Sequence, residues 1–188
     1  IKRDVLKMKR IGITGGAGFI GSNLAEKLCS LDNEVFIFDN FDTGLEKNLL
    51  NLPVTIQVGE LSEMDQVKNF FEKFQIDFCF HLGAMGSVPR SIDNPIGSFQ
   101  SNVLGTINVL ESVKAFSVPL IFASSSSIYG KNIKLPKSEF DWGAPMSPYG
   151  GFKFSSEAII QGYANAFNLK AKIFRLFNVY GPKQNPDS

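Results

Sequence analysis

Residues 10–21 read Arg10-Ile-Gly-Ile-Thr-Gly-Gly-Ala-Gly-Phe-Ile-Gly21. The short apolar run Arg10 to Thr14 predicts a strand that leads directly into a tight turn and a helix. Gly15, Gly18 and Gly21 set the spacing Gly-x-x-Gly-x-x-Gly. The first permits the turn, the second a close approach of backbone to a pyrophosphate, and the third close packing of the helix. The helix N-terminus, with its unpaired N–H groups and positive dipole end, then faces the phosphates. Ser22 to Leu31 continues with apolar residues at helical spacing, and Glu34-Val-Phe-Ile-Phe38 predicts a second strand ending in Asp39. A carboxylate ~20 residues after such a loop is expected to bind a ribose. It accepts hydrogen bonds from a 2′-hydroxyl and repels a 2′-phosphate, which favours NAD over NADP. The competing reading of Asp39 is a turn residue within Asp39-Asn-Phe-Asp-Thr-Gly44.

Outward from this unit the alternation continues. Val54 to Val58 predicts a strand, Glu63 to Phe74 a helix and Asp77 to His81 a strand. Pro95 opens one amphipathic helical segment through Phe116, with Phe99, Val103, Ile107 and Leu110 at three- and four-residue steps. Pro119 to Ala123 predicts a strand, Tyr149 to Phe167 a helix and Ala171 to Phe177 a last strand. Strands separated by helical crossovers form parallel βαβ units. The expected fold is α/β, a Rossmann-type doubly wound parallel sheet flanked by helices.

A chain of 188 residues, 44% hydrophobic with net charge +1, fits one domain and carries no electrostatic footprint for nucleic acid. Its basic cluster, Lys2, Arg3, Lys7, Lys9 and Arg10, lacks interleaved aromatics and reads as a solvated leader. No apolar run reaches the ~18 residues that span a bilayer, and the N-terminus has no signal-peptide core, so a cytoplasmic protein without a membrane partner is expected. Cys29 and Cys79 sit among apolar neighbours and read as buried thiols. His81 has no histidine or cysteine at ligand spacing, so no metal site is expected.

Tyr149 and Lys153 share one helical face, about a turn apart. An ammonium beside a phenol favours the phenolate, which would bring a tyrosine with an ordinary pKa of ~10 nearer to use as a base. The run Ser124-Ser125-Ser126-Ser127 supplies a hydroxyl that could bridge this base and a substrate. The spacing alone arises by chance on many surface helices; the glycine loop and Asp39 upstream give it weight.

Nearly the whole chain resembles the extended short-chain dehydrogenase/reductase superfamily, and within it the NAD-dependent sugar-nucleotide epimerases of UDP-glucose 4-epimerase type. The resemblance rests on Thr14 to Gly21, Asp39 to Gly44, His81-Leu-Gly-Ala84, Ser87-Val-Pro-Arg-Ser91, Asn102-Val-Leu-Gly-Thr106, Ser124 to Gly130, Ser147-Pro-Tyr149 and Phe177-Asn-Val-Tyr-Gly181, in the family's order. It implies catalytic roles for Ser125, Tyr149 and Lys153, with Lys153 holding the nicotinamide ribose and lowering the Tyr149 pKa. It implies NAD contacts from Gly15, Gly18, Phe19, Ile20, Gly21, Asp39, Asn40, Glu60, Leu61, Leu82, Gly83, Ala84 and Asn102, besides Tyr149 and Lys153. Substrate contacts fall to Ser87, Ser125, Ser126, Tyr149 and Asn178. Ser87 and Arg90 are expected in a loop near substrate or cofactor, with a structural ion pair the other reading of Arg90. For Asn102 a plain helix N-terminal role stands beside the cofactor role.

The implied activity is 4-epimerisation of a UDP-linked hexose, N-acetylhexosamine or uronate through a 4-keto sugar. Related 4,6-dehydratases place Asp and Glu after the catalytic hydroxyl residue, and decarboxylases usually carry a Glu in that run; here the positions are Ser126 and Ser127. The resemblance also implies a homodimer through a four-helix seam formed by the helices from Pro95 and Tyr149. Phe152 replaces a small or hydroxyl residue, Gly83 an alanine, and Glu60 an aspartate of the family pattern. Family members run longer and build their substrate domain from sequence C-terminal to the Asn-Val-Tyr-Gly element. The expectation is therefore a leader over residues 1–7 and an NAD-binding domain over residues 8–188, truncated before the substrate domain. Open alternatives are a binding module without turnover and an enzyme completed by another polypeptide.

Overall fold

β-Branched and aromatic residues dominate the short runs between the glycine-rich turns, and such residues suit a pleated surface packed on both sides. In the computed structural model, which describes residues 8–141 and 143–184, these runs form strands β1 (Arg10–Thr14), β2 (Glu34–Asp39), β3 (Val54–Val58), β4 (Phe78–His81), β5 (Leu120–Ser125) and β6 (Ala171–Leu176). The leader expected over residues 1–7 lies outside the described residues. The strands make one six-stranded sheet in the order β3-β2-β1-β4-β5-β6, every neighbouring pair parallel. The chain winds outward from β1 to β3, then crosses back to place β4 on the other side of β1. That reversal opens a crevice beyond the carboxyl ends of β1 and β4, where open α/β sheets bind ligands.

The crossovers are helices α1 (Phe19–Cys29), α2 (Met64–Phe74), α3 (Val88–Asp93), α4 (Pro95–Phe99), α5 (Gly105–Ala115) and α6 (Pro148–Phe167). Strand alternation sorts the core into two layers. Ile11, Ile13, Val35 and Ile37 pack with Ala25 of α1 on one face, while Phe36, Phe38 and Phe122 pack with Phe70, Phe71, Val109, Val113 and Ile160 on the other. Phenylalanine rings lock this second layer, Phe36 stacking on Phe74 at 4.8 Å and Phe38 meeting Phe70 edge-on at 5.4 Å.

Four local expectations are corrected. The segment from Pro95 to Phe116 is not one α-helix, because a π-turn over Gln100–Leu104 separates α4 from α5. Within that turn the Asn102 carbonyl accepts side-chain hydroxyls from Thr106 at 2.6 Å and Ser156 at 2.8 Å. Ser87 and Arg90 belong to a helix rather than a loop: the Ser87 side chain caps α3 by accepting from the Arg90 N–H, and a proline occupies its first turn. β5 runs on through Ser124 and Ser125, because β6 pairs with them at Arg175 and Leu176. Cys79 is fully buried, but Cys29 near the end of α1 is only partly covered.

Two glycine substitutions separate close packing from helix entropy. A Cβ on Gly21 would lie 2.2 Å from the Gly15 carbonyl oxygen and 2.7 Å from the Gly16 Cα, whereas one on Gly162 in α6 meets nothing within 4 Å. Gly21→Ala is expected to lower the unfolding free energy by ~1–3 kcal/mol. Gly162→Ala is expected to raise it by up to ~1 kcal/mol. Urea denaturation of both variants checks the pair; equal effects would show that the Gly15 to Gly21 contact is not a constraint.

Candidate active site

The crevice at the strand-order reversal holds two adjoining clefts. The first, of about 360 Å³, is lined by Gly15, Gly18, Asp39, Asn40, Glu60, Leu61, Leu82, Gly83 and Ala84 among others. Gly15 turns the chain at φ +69°, where a Cβ would sit 2.6 Å from the backbone of Gly83. Gly83, in turn, leaves room for the Leu61 side chain, whose Cδ1 would lie 2.6 Å from a Cβ there. Gly21 lies behind the loop, buried against it.

Asp39 braces this loop. Its Oδ2 accepts the Ala17 N–H and its Oδ1 the Phe41 N–H, both at 2.9 Å. Burial pushes its carboxyl above the usual range, and the backbone N–H groups work against that. The turn reading of Asp39 is thus seen directly, while each oxygen keeps a further lone pair for a ligand. Asn48, which no motif marked, donates to the Ala17 carbonyl at 2.9 Å and completes the brace. Asn40 donates to the Glu60 carboxylate at 3.1 Å, so Glu60 is oriented at the cleft wall. Arg90 pairs with Asp42 at 2.5 Å, both lining this cleft, so the ion-pair reading of Arg90 holds.

The second cleft, of about 460 Å³, gathers Phe19, Ile20, Ser125, Tyr149, Lys153 and Asn178, and shares Leu82 and Ala84 with the first. Ser87, Ser126 and Asn102 line neither cleft. Ser126 opens a 3₁₀ turn over Ser126–Tyr129, which the Ser125 hydroxyl caps by accepting the Ser127 N–H at 3.1 Å. Asn102 is buried in the π-turn and donates to the Met85 carbonyl at 3.3 Å and to Ser98 Oγ at 3.0 Å.

α6 presents Tyr149 and Lys153 because Ser147 caps it and Pro148 starts it. Its orphan Tyr149 N–H donates to Ser91 Oγ at 3.1 Å, tying it to α3. Phe152 packs edge-on against Phe99 with ring centroids 5.9 Å apart. Lys153 is only 3% exposed. Its Nζ donates to the Ala123 carbonyl at 2.8 Å and stands 4.6 Å from the centroid of the Phe122 ring. Burial brings its pKa down to about 8, opposed by the Glu157 carboxylate one turn further along the helix. Arg175 clasps Glu157 with Nη2 at 2.8 Å and donates through Nη1 to the carbonyls of Glu139 and Asp141 at 3.0 and 3.3 Å. The Tyr149 phenol is pushed up by burial, and the hydrogen bond from Ser125 opposes this. The expected lowering of Tyr149 by Lys153 is therefore not seen; the ammonium is engaged by Ala123 and the Phe122 ring, and burial dominates.

The sequence reading gave Ser91 and Asn48 no role, and Ser124 only a place in the serine run. Ser91 lay inside a quoted motif, but it stands within α3 and no local pattern marks its bond to α6. Ser124 lines the second cleft with a buried hydroxyl that has no hydrogen-bond partner among the described residues.

A glycine turn at the reversal of a parallel sheet, beside a cleft holding serine, tyrosine and lysine, defines a dinucleotide-binding α/β protein. Residues 11–188 match the model of the NAD dependent epimerase/dehydratase family, and the chain belongs to that family, whose cofactor is NAD. It is 36% identical over 178 residues to a putative UDP-glucose 4-epimerase of Methanocaldococcus jannaschii, covering 93% of this chain and 57% of that one. It is 34% identical to UDP-glucuronic acid decarboxylase 1 of Xenopus tropicalis, covering 94% and 42%. The crystal structure of the Thermus thermophilus UDP-glucose 4-epimerase in complex with NAD superposes with a TM-score of 0.87 at 35% identity, over 94% of this chain and 58% of that one. The chain thus spans about half the length of these relatives. Among the described residues no helix is long and apolar enough to cross a membrane.

Lys153→Met removes a buried charge at nearly constant shape. With the folded pKa near 8 and the free value at 10.5, the folded chain releases its proton across that window while the unfolded chain keeps it. Stability therefore rises with pH between those values, and the burial penalty is full below pH 8. The variant is expected to be ~1–3 kcal/mol more stable than the parent at pH 7, with the gap closing toward pH 10. Thermal melts across pH check this; a variant less stable at pH 7 would show that Lys153 is a net structural support.

Proposed function

We propose that this chain is the cofactor-binding and catalytic part of an NAD-dependent 4-epimerase of UDP-linked sugars. The observation that carries the reading is the meeting of Ser125, Tyr149 and Lys153 in a cleft that shares Leu82 and Ala84 with the glycine-loop cleft. The residues fit the cofactor. Gly15 and Gly18 line the cleft without side chains to narrow it, α1 starts directly after the turn, and Asp39 and Glu60 are acceptors suited to a ribose and an adenine. Phe19, Ile20, Asn40 and Leu61 form apolar and polar walls around the same space.

When bound, NAD supplies a reversible hydride acceptor for the sugar C4. Tyr149 Oη, in its phenolate form, takes the proton of the 4-hydroxyl and becomes the neutral phenol, and Ser125 Oγ, hydrogen-bonded to that oxygen, holds the same sugar oxygen. Lys153 keeps a positive charge beside the base through Glu157 and supplies N–H donors toward the ribose. Asn178 and Ser124 offer polar contacts to the sugar nucleotide from the far wall. A 4-keto sugar that turns over before the hydride returns has its C4 inverted, and no external redox partner is consumed. Dehydration needs a further carboxyl pair for the C5 proton, and no Asp or Glu lines this cleft among the described residues. The similarity to decarboxylases leaves the sugar's C6 group as the open point of substrate class.

In this reading residues 8–188 are the cofactor domain of a longer enzyme that works in the cytoplasm, with the remaining sugar-pocket walls supplied by sequence its relatives carry beyond this span. A thermal-shift titration is expected to show stabilisation by NAD+ at concentrations at least ~10-fold below those of NADP+, since Asp39 opposes a 2′-phosphate. Equal responses would remove Asp39 from the ribose site, and no response to either would sink the cofactor assignment. In the enzyme extended to the relatives' length, Tyr149→Phe should lower UDP-hexose turnover by ~10²–10⁴-fold with NAD+ affinity kept. Full turnover in that variant would end the role given to Tyr149.

The same reading extends to a homodimer through the helical edge formed by α4, α5 and α6. It is supported by the apolar side chains of Ile92, Ile96 and Phe99, which are 60%, 69% and 43% exposed beside α6. Ile96→Glu is expected to shift the protein to monomer in sedimentation velocity. An unchanged species distribution would place any dimer elsewhere.

A further inference from the structure

His81 ends β4 at the strand-order reversal, wholly buried, and the roles given above do not use it. Its Nδ1 lies 2.6 Å from Thr14 Oγ1, and its Nε2 lies 3.1 Å from Thr106 Oγ1. Thr14 Oγ1 also receives the Gly83 N–H at 3.1 Å, and Thr106 Oγ1 donates to the Asn102 carbonyl at 2.6 Å. The same carbonyl accepts the Ser156 hydroxyl of α6 at 2.8 Å. All of these side chains are at most 1% exposed, so water cannot substitute for a missing partner.

The proton positions follow from what each group is able to do. A carbonyl only accepts, so the single hydroxyl proton of Thr106 goes to Asn102, and Thr106 Oγ1 must accept from His81 Nε2–H. In a neutral ring Nδ1 is then the acceptor, so the Thr14 hydroxyl donates to it and is left free to accept the Gly83 N–H. One direction of donation runs without conflict from Gly83 to Asn102. An Nδ1–H tautomer breaks it at both ends. A cation leaves the Thr14 hydroxyl proton with no acceptor and puts charge beside the Lys153 ammonium, the charged group that bears on His81. Both groups lie against the Phe122 ring, whose centroid is 5.5 Å from that of the imidazole and 4.6 Å from Lys153 Nζ.

The ends of the chain of hydrogen bonds are the two halves of the site. Gly83 is the wall against which Gly15 turns, and Ser156 sits on α6 within a turn of Lys153. We propose that His81 is a positioning residue: fixed as the neutral Nε2–H tautomer between Thr14 and Thr106, it holds the Gly83 wall of the glycine-loop cleft at a set distance from the helix that carries Tyr149 and Lys153. The functional weight of that spacing rests on the reading of the first cleft as the NAD site, but the device itself is measurable without the cofactor.

His81 is the only histidine of the chain, so ¹⁵N-histidine labelling gives one unambiguous imidazole. Long-range ¹⁵N–¹H spectra of the parent chain are expected to show a protonated Nε2 and an unprotonated Nδ1, unchanged from pH 5 to pH 8. In Thr106→Val, amide exchange at Gly83 is expected to quicken by about ten-fold, because the link loses its central hydroxyl. Thr106→Ser keeps the hydroxyl and should restore the slow exchange. An Nδ1–H tautomer, titration of the ring within that pH range, or Gly83 exchange that is the same in the parent and both variants would each overturn the proposal. A Thr106→Val chain that does not fold leaves the parent tautomer and the Thr106→Ser exchange to decide it. Failure of NAD+ to bind the parent chain would instead count against the cofactor reading, with the ring spectra still deciding the role of His81.

Discussion

Backbone meets backbone at the carboxyl end of β1 with no room for a side chain, and the arrangement of both clefts depends on that contact. Gly15 turns at positive φ against Gly83, and α1 leaves the turn so closely that Gly21 lies on the Gly15 carbonyl. Between them Ala17 is held on both sides: its N–H goes to Asp39, and its carbonyl receives the Asn48 side chain and the Leu45 N–H. The loop after β2 thus works as a clamp on the loop after β1. A ligand reaching the glycine turn meets a backbone whose conformation is already fixed by these bonds, so little conformational entropy remains to be lost there.

The catalytic half is built on a different constraint, the cost of placing charge out of water. An ammonium at Lys153 is held by a carbonyl, an aromatic face and a carboxylate one helical turn away, and that carboxylate is in turn clasped by Arg175. Glu157 keeps Arg175 as its partner whatever stands at 153, so the cost of burial falls on the Lys153 ammonium. The arrangement keeps a buried ammonium in the cleft that also holds Tyr149. Tyr149 itself is held in its neutral form by burial, with Ser125 as the group that opposes this.

The sheet was legible because each strand is a compact apolar run closed by a turn. Arg10–Thr14 and Val54–Val58 have the bounds expected from sequence, and the strand order follows from parallel crossovers together with the reversal at β1. Helix breaks were not. The π-turn at Gln100–Leu104 inserts its extra residue without disturbing the three- and four-residue apolar steps by which a helix is recognised, so the segment reads as continuous. α3 spans less than two turns, too short for periodicity, and only the serine and proline at its start could have marked it. Ser124 and Ser125 look like loop residues by type and become strand because β6 pairs with them. The glycine loop, Asp39 and the Ser125, Tyr149 and Lys153 set were readable because their spacing in sequence is fixed by a local turn or helix. The braces from Asn48, Ser91 and Thr106 connect distant segments and leave no local pattern.

The described residues between Gly130 and Ser147 carry little regular structure, yet they are not attached to the domain as an ordinary surface loop. Arg175 of β6, its side chain largely buried, reaches the carbonyls of Glu139 and Asp141 with one arm while its other arm is committed to Glu157 in α6. Releasing the stretch would cost Arg175 the two carbonyl acceptors of its Nη1 while its bond to Glu157 remained. The stretch is thus tied to the last strand of the sheet through its main chain, while Ile133, Leu135 and Phe140 keep their side chains in solvent.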